Sequence, residues 1–246
     1  MSQARFQFHG ELNDFLPRGK RFTTIDYPFN WRASIKDMIE SHGIPHCEVD
    51  VIVVNGHCVD FGYLVCDADQ IQVYPSMASA PLHPTLRLRP LYPGRPRFIL
   101  DIHLGRLAAY LRMIGFDSLW RNDYEDPELA RVAHDEQRIL LSRDIGLLKR
   151  SLVTYGYFVR HIYPRERIRE IIQRFDLSRH MEPFKHCMKC NGMLRPVAKP
   201  SLVARLPQEI FHLYDDFHIC TSCERIYWKG SHYRRMVGLI EELAAV

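Results

Sequence analysis

Residues 97–144 read RFILDIHLGRLAAYLRMIGFDSLWRNDYEDPELARVAHDEQRILLSRD. Phe98-Ile99-Leu100 is an apolar run ending on Asp101, and Ile139-Leu140-Leu141 is another that leads through Ser142 and Arg143 to Asp144. Between them Leu104, Leu107, Leu111 and Ile114 recur at helical spacing, and Gly115 stands where a helix C-terminus takes a left-handed residue. Asp126-Pro127 opens a second helical pattern that faces inward with Leu129, Val132 and Ala133. Short apolar strands joined by helices predict a parallel sheet covered on both faces. Such sheets place their chemistry beyond the C-terminal ends of the strands. Asp101 and Asp144 are expected at that edge.

The same rhythm continues downstream. Residues 145–152 are expected to form a helix and residues 157–161 a fourth strand; Pro164 then opens a basic helix with Ile168, Ile171 and Ile172 turned inward. Beyond it stand Cys187-Met188-Lys189-Cys190 and Cys220-Thr221-Ser222-Cys223. Each pair puts two thiolates on one knuckle, and four thiolates complete a tetrahedral zinc shell with no open position, a structural site. The long loop between the pairs is tolerable because closure entropy grows slowly with length. The competing reading is four structural or redox thiols. Cys47, Cys58 and Cys66 lack ligand-like pairing and are expected to be small buried residues.

Upstream, residues 3–10 alternate like a half-buried strand, residues 21–27 read as a second, and Ser34 caps a helix carrying Ile35, Met38, Ile39 and Ile44, with Pro45 as its stop. Val51-Ile52-Val53-Val54, the Asn55-Gly56 turn, Tyr63-Leu64-Val65 and residues 71–75 complete a strand–strand–helix–strand–strand order, a β-grasp. Val54-Asn55-Gly56, Asp60, Leu64, Asp67, Asp69, Ile71 and Val73-Tyr74-Pro75 resemble the end of ubiquitin-like sulfur carriers. The chain has no Gly-Gly tail there, so a docking or structural module is the expected role. Residues 76–96 hold five prolines and are expected to be extended, marking a boundary. The expected division is a β-grasp over residues 1–76, a Pro-rich linker over 77–96, an α/β domain over 97–180 and a zinc ribbon over 181–246.

The chain of 246 residues is 46% hydrophobic and 25% charged, an ordinary globular balance. No apolar run approaches the roughly 18 residues of a membrane span, and residues 1–10 show no signal-peptide core, so a cytoplasmic protein is expected. Paired cysteines in a reducing compartment point to metal rather than disulfides. Charge is uneven: residues 97–144 carry 7 basic and 9 acidic side chains, residues 145–246 carry 17 and 10. An acidic centre beside a basic third suits carboxylates for metal and cations for phosphate.

Phosphodiester cleavage needs an activated water and a neutralised leaving oxygen, which Mg²⁺ or Mn²⁺ held by carboxylates supplies. Asp101, Asp126 and Asp144 are the candidate ligands, with Asp123 and Glu128 behind them; each of the three also reads as a plain helix cap. His103 is a possible ligand or proton carrier, or a polar filler. Arg106, Arg112 and Arg143 would hold phosphate or pair with the carboxylates. Tyr227, Trp228 and Tyr233 would stack on bases or fill a core.

Residues 98–123 and 126–144 closely resemble the Mut-7 C-terminal RNase domain, whose bacterial members often carry a ubiquitin-like domain in front. The resemblance implies a PIN-like nuclease fold with a C-terminal zinc ribbon, and Asp101, Asp126 and Asp144 at acidic positions of its site. The expectation is therefore a multidomain α/β and α+β protein acting as a divalent-metal-dependent ribonuclease. Its RNA, tRNA or rRNA among the candidates, would be gripped by Arg143, Lys149, Arg150, Arg165, Arg167 and Arg169. The rivals are a non-catalytic RNA- or ribosome-binding adaptor and a module that docks a protein partner through the β-grasp.

Overall fold

The computed structural model describes residues 2–80 and 85–244. In chain order the elements are β1 (Ser2–Phe8), β2 (Thr24–Phe29), α1 (Ile35–Ser41), β3 (Val51–Val54), β4 (His57–Cys58), β5 (Gln70–Tyr74), β6 (Phe98–Leu100), α2 (Gly105–Met113) and β7 (Ser118–Leu119). There follow α3 (Asp126–Asp135), β8 (Ile139–Ser142), α4 (Ile145–Leu148), β9 (Gly156–Phe158), α5 (Pro164–Phe175), β10 (Leu194–Val197), α6 (Gln208–Leu213), β11 (Phe217–Cys220), β12 (Ile226–Trp228) and α7 (Ser231–Ala244). They fall into two compact units, Met1–Tyr92 with Asp126–Phe158, and Pro93–Glu125 with Val159–Val246.

In the first unit, β1 to β5 form a sheet of order β2-β1-β5-β3-β4, in which β1 and β5 are parallel and the other pairs antiparallel. Alternation along β1 turns Ala4, Phe6 and Phe8 onto the core, where Ile35, Met38 and Ile39 of α1 meet them with Val54, Ile71 and Val73. This is the expected β-grasp. Ser34 does cap α1, accepting the Asp37 N–H at 3.2 Å. Two details differ from the reading above. Helix α1 ends at Ser41, before Pro45, because Gly43 takes a φ of +94°. Leu64 makes only a single bridge to Ser34, since the segment around it folds onto Asp69 instead of pairing as a strand.

Asp69 is buried and accepts from Asn55 Nδ2, the Cys66 N–H and the Tyr63 hydroxyl at 2.8, 2.7 and 3.1 Å, while Asp67 accepts the Gln3 N–H at 2.8 Å. Buried carboxylates are tolerated only when so satisfied. Asp50, also fully buried, does the same for the chain beyond the sheet. It receives the Met77 and Arg89 N–H groups at 3.1 and 3.3 Å, and Arg87 and Arg89 pair with it. Residues 87–89 thus lie on the β-grasp, and residues 85–92 form no helix or strand; of the Pro-rich stretch, residues 81–84 fall outside the described residues.

The same unit holds α3, β8, α4 and β9, with β8 parallel to β9. Buried Glu48 accepts the Phe158 N–H at 2.6 Å, and His46 Nε2 lies 3.0 Å from the Val153 carbonyl. The expected helix over 145–152 is the single turn α4, closed by the Lys149 cap.

The second unit pairs β6 parallel to β7 and surrounds them with α2 and α5. Leu104, Leu107, Leu111 and Ile114 are fully buried, as are Ile168 and Ile171, so both helical stripes face inward as their spacing requires. Gly115 has φ +97°, and a β carbon there would sit 2.0 Å from the Glu182 carbonyl oxygen. Position and space both demand glycine. The remainder is a three-stranded antiparallel sheet of order β10-β11-β12, followed by α7. No helix among the described residues is long and apolar enough to cross a membrane.

Candidate functional site

The two Cys-x-x-Cys turns meet. The four sulfurs of Cys187, Cys190, Cys220 and Cys223 lie within 4.8 Å of one another, with 3.6 Å between Cys187 and Cys223 and 3.4 Å between Cys190 and Cys220. Disulfides require about 2.05 Å. Sulfurs at the corners of a zinc tetrahedron stand about 3.8 Å apart, given a Zn–S bond of about 2.3 Å. The set is therefore compatible with a structural zinc. The Ser222 and Cys223 N–H groups each point at Cys220 Sγ from 3.4 Å, and the Tyr227 hydroxyl lies 3.0 Å from Cys187 Sγ. Burial works against ionising Cys220, but those two N–H groups and the neighbouring thiols outweigh it and bring its pKa down to about 7. Burial instead pushes the Cys190 and Cys223 thiols up, so of these three coupled sulfurs Cys220 is the one that gives up its proton first.

The first knuckle is held from behind by Arg112. Its Nε donates to the Ser118 carbonyl at 2.8 Å, and one terminal nitrogen donates to the Met188 and Lys189 carbonyls at 3.2 and 3.1 Å. Only 2% of this side chain's residue surface is exposed. Arg112 was expected near phosphate or the carboxylates; the structure corrects this, because its fork is filled by main-chain oxygens of the knuckle. Asn191 adds to the same joint, donating to Asp117 and accepting the Ser118 N–H.

Each candidate carboxylate stands at the start of a helix. Asp101 follows β6 in the second unit, is buried, and accepts the His103 N–H at 2.9 Å. Asp126 begins α3 in the first unit and is half-buried. Asp144, also in the first unit, is exposed; Oδ1 accepts the Leu147 N–H at 3.1 Å while its own N–H donates to Ser142 Oγ at 2.9 Å. The capping alternative thus holds for Asp101 and Asp144. A cap uses one oxygen, and at Asp144 the other takes no hydrogen bond from the described residues. Asp123 pairs with Arg121 at 2.9 Å, and His103 and Arg106 are exposed.

The cations are placed as follows. Arg143 covers the Phe158 ring at 5.7 Å, and Lys149 donates through Nζ to the Glu40 carbonyl at the end of α1. Arg150 is exposed. On α5, Arg165 and Arg169 approach Glu242 at 3.9 Å, Arg169 also pairs with Glu166 at 2.9 Å, and Arg167 donates to the His161 carbonyl at 3.0 Å. Of the unpaired cysteines, Cys47 is buried as expected, Cys58 is half-buried, and Cys66 is exposed because its turn is pinned from the backbone by Asp69. Sequence reasoning overlooked Tyr214, which follows α6 and stands beside Trp228; a lone aromatic between two short elements carries no local signal.

Compared with known proteins, residues 96–240 match the model of the Mut7-C RNAse domain and residues 1–80 that of the Mut7-C ubiquitin domain. No curated protein and no solved structure matches. Both matches agree with a β-grasp followed by parallel α/β units and a four-cysteine ribbon, and the chain belongs to the Mut7-C RNAse domain family, with that family's ubiquitin domain at its front.

Proposed function

We propose that the protein is a divalent-metal-dependent ribonuclease. The observation that carries this reading is the Mut7-C RNAse match across residues 96–240, which includes all three aspartates. A bound Mg²⁺ or Mn²⁺ supplies Lewis acidity and a water acidified to near-neutral pKa. Carboxylates suit such ions because their oxygens are hard donors. In this reading Asp101 and Asp144 hold the ion, and Asp126 holds it or orients the attacking water. Arg150 contacts RNA phosphates directly, whereas Arg143, Lys149, Arg165, Arg167 and Arg169 act while keeping the partners described above. The four cysteines hold zinc as a structural ion, and the protein works in the cytoplasm. The protein's parts are a β-grasp over residues 1–76, a linker over 77–96, the nuclease domain over 97–180 and a zinc ribbon over 181–246.

The test is cleavage of labelled tRNA, rRNA fragments and single-stranded RNA with Mg²⁺, Mn²⁺ or EDTA, beside Asp101→Asn and Asp144→Asn. Cleavage should require the metal and fall at least about 100-fold in either variant, as the loss of charged groups at reacting oxygens commonly costs. Unchanged turnover in both variants would sink the acidic-site reading. Binding without turnover would favour an RNA- or ribosome-binding adaptor. A docking role for the β-grasp has its own support: Phe22 and Trp31, flanking β2 at the sheet edge, are 75% and 57% exposed.

A further inference from the structure

Tyr214 and Trp228 stand together in the wall of a cleft in the second unit, their ring centroids 6.5 Å apart and their planes inclined at 42°. The cleft encloses about 440 Å³, and Met188, Ile210, Tyr227 and Met236 complete its apolar lining. That is room for one small flat ligand rather than a peptide helix. The separation of the two centroids is within the roughly 4.5–7 Å over which two rings touch directly, so the pair makes one aromatic wall and a further flat ring finds its room in the cleft beside it.

Gly230 keeps the edges of both rings clear. A β carbon there would lie 3.0 Å from Trp228 Nε1 and 3.5 Å from the Tyr214 hydroxyl, and Gly230 is not among the glycines at positive φ. Its missing side chain therefore serves space, not backbone conformation. Charge identifies the occupant: Arg225 and His232 line the cleft, and Arg234 and Arg235 are exposed on the first turn of α7. A flat apolar ring carried on an anionic backbone satisfies both the rings and the cations.

We infer that this cleft takes one unpaired base of single-stranded RNA, stacked on the wall that Tyr214 and Trp228 form, with its flanking phosphates against Arg225 and Arg234. The inference rests on the RNA reading above and deepens it: the substrate presents an unstacked nucleotide, because a base inside a duplex has no free faces.

The experiment uses the full chain carrying Asp144→Asn, so that RNA survives, and a fluorescein-labelled ten-nucleotide single strand beside its duplex. Anisotropy titrations at several salt concentrations compare this parent with versions also carrying Trp228→Leu, Tyr214→Leu or Gly230→Ala. Zinc content and melting temperature are checked for each. Single-strand affinity should fall about tenfold with loss of either ring, a typical value of one stacked base, and fall also with Gly230→Ala. The salt slope and duplex affinity should stay put, whereas Arg225→Gln should flatten the slope. Affinity within twofold of the parent in both ring variants overturns the inference, and continued cleavage by the chain with Asp144 restored would then leave the ribonuclease reading standing. No RNA binding by the parent overturns both. If Trp228→Leu loses zinc, Tyr214→Leu and Gly230→Ala decide by the same criterion.

Discussion

Arg112 is the largest of the fully buried side chains among the described residues, and its role follows from what it touches. Burial pulls its pKa down while the nearby cysteine sulfurs pull it up, and three carbonyls receive its hydrogen bonds. A lysine lacks the planar fork that reaches Ser118 and the knuckle together. Arg112→Lys should therefore destabilise the protein by about 3 kcal/mol, the cost of breaking a buried charged network, and loosen metal retention. A melting curve and zinc stoichiometry equal to the parent's would refute that. His42 poses the opposite case. Its ring lies 5.0 to 5.2 Å from Phe6, Phe8 and Tyr27, and its Nε2 is buried without a hydrogen bond. Burial, with help from Lys20, lowers its pKa from 6.5 to about 4. Between those values the unfolded chain binds the proton and the folded chain does not. His42 thus weighs against the fold progressively as pH falls from 6.5 to 4, and not above 6.5. Urea midpoints taken from pH 7 to 4.5 should fall less steeply for His42→Phe than for the parent; parallel curves would count against the assignment.

At the scale of elements, the ribbon builds little core of its own around the four cysteines. Strands β10 to β12 bury Phe217, Ile219 and Cys220, but Leu194, Ile226 and Trp228 remain half-exposed. So small a sheet is marginal without a staple. One zinc per chain is the expected stoichiometry, and Cys220→Ser should abolish it and unfold the ribbon, read by loss of Trp228 fluorescence structure and by protease cutting between residues 187 and 228. Retention of a full zinc equivalent by that variant would contradict the four-thiolate site. The α helices follow their local signals more directly. Pro164 opens α5 and Asp176 closes it in the left-handed conformation at φ +47°, both ends legible from residue type. Helix α4 is shorter than its apolar pattern suggests, because that pattern runs through Leu147 and Leu148 to Leu152, whereas Leu152 itself is exposed.

At the scale of the whole molecule, the β-grasp and the segment Asp126–Phe158 belong to one compact unit. Glu48, His46 and Cys47 meet Phe158, Val153 and Leu148, and a β carbon at Gly156 would lie 2.6 Å from Cys47 Sγ. Removing residues 1–92 would strip these partners away. A chain of residues 93–246 should melt well below the full protein and expose new apolar surface to a hydrophobic dye; equal melting temperatures would show the β-grasp to be dispensable. What the sequence determined by itself is what short-range rules reach. The two cysteine knuckles, the caps by Ser34, Asp101 and Asp144, the inward faces of α2 and α5, and the β-grasp order all follow from residues a few positions apart. Those signals were strong enough to carry the family resemblance that the domain matches bear out. The tertiary structure alone decided which arginines are buried, which cysteines are exposed, and which aromatics stand together. Arg112 lies 76 residues from the Met188 carbonyl it binds, and Glu48 lies 110 from Phe158. Helix and strand periodicity describe which way a side chain points, but only packing brings it a partner, and the partner sets whether a charge is paid for by water or by carbonyls.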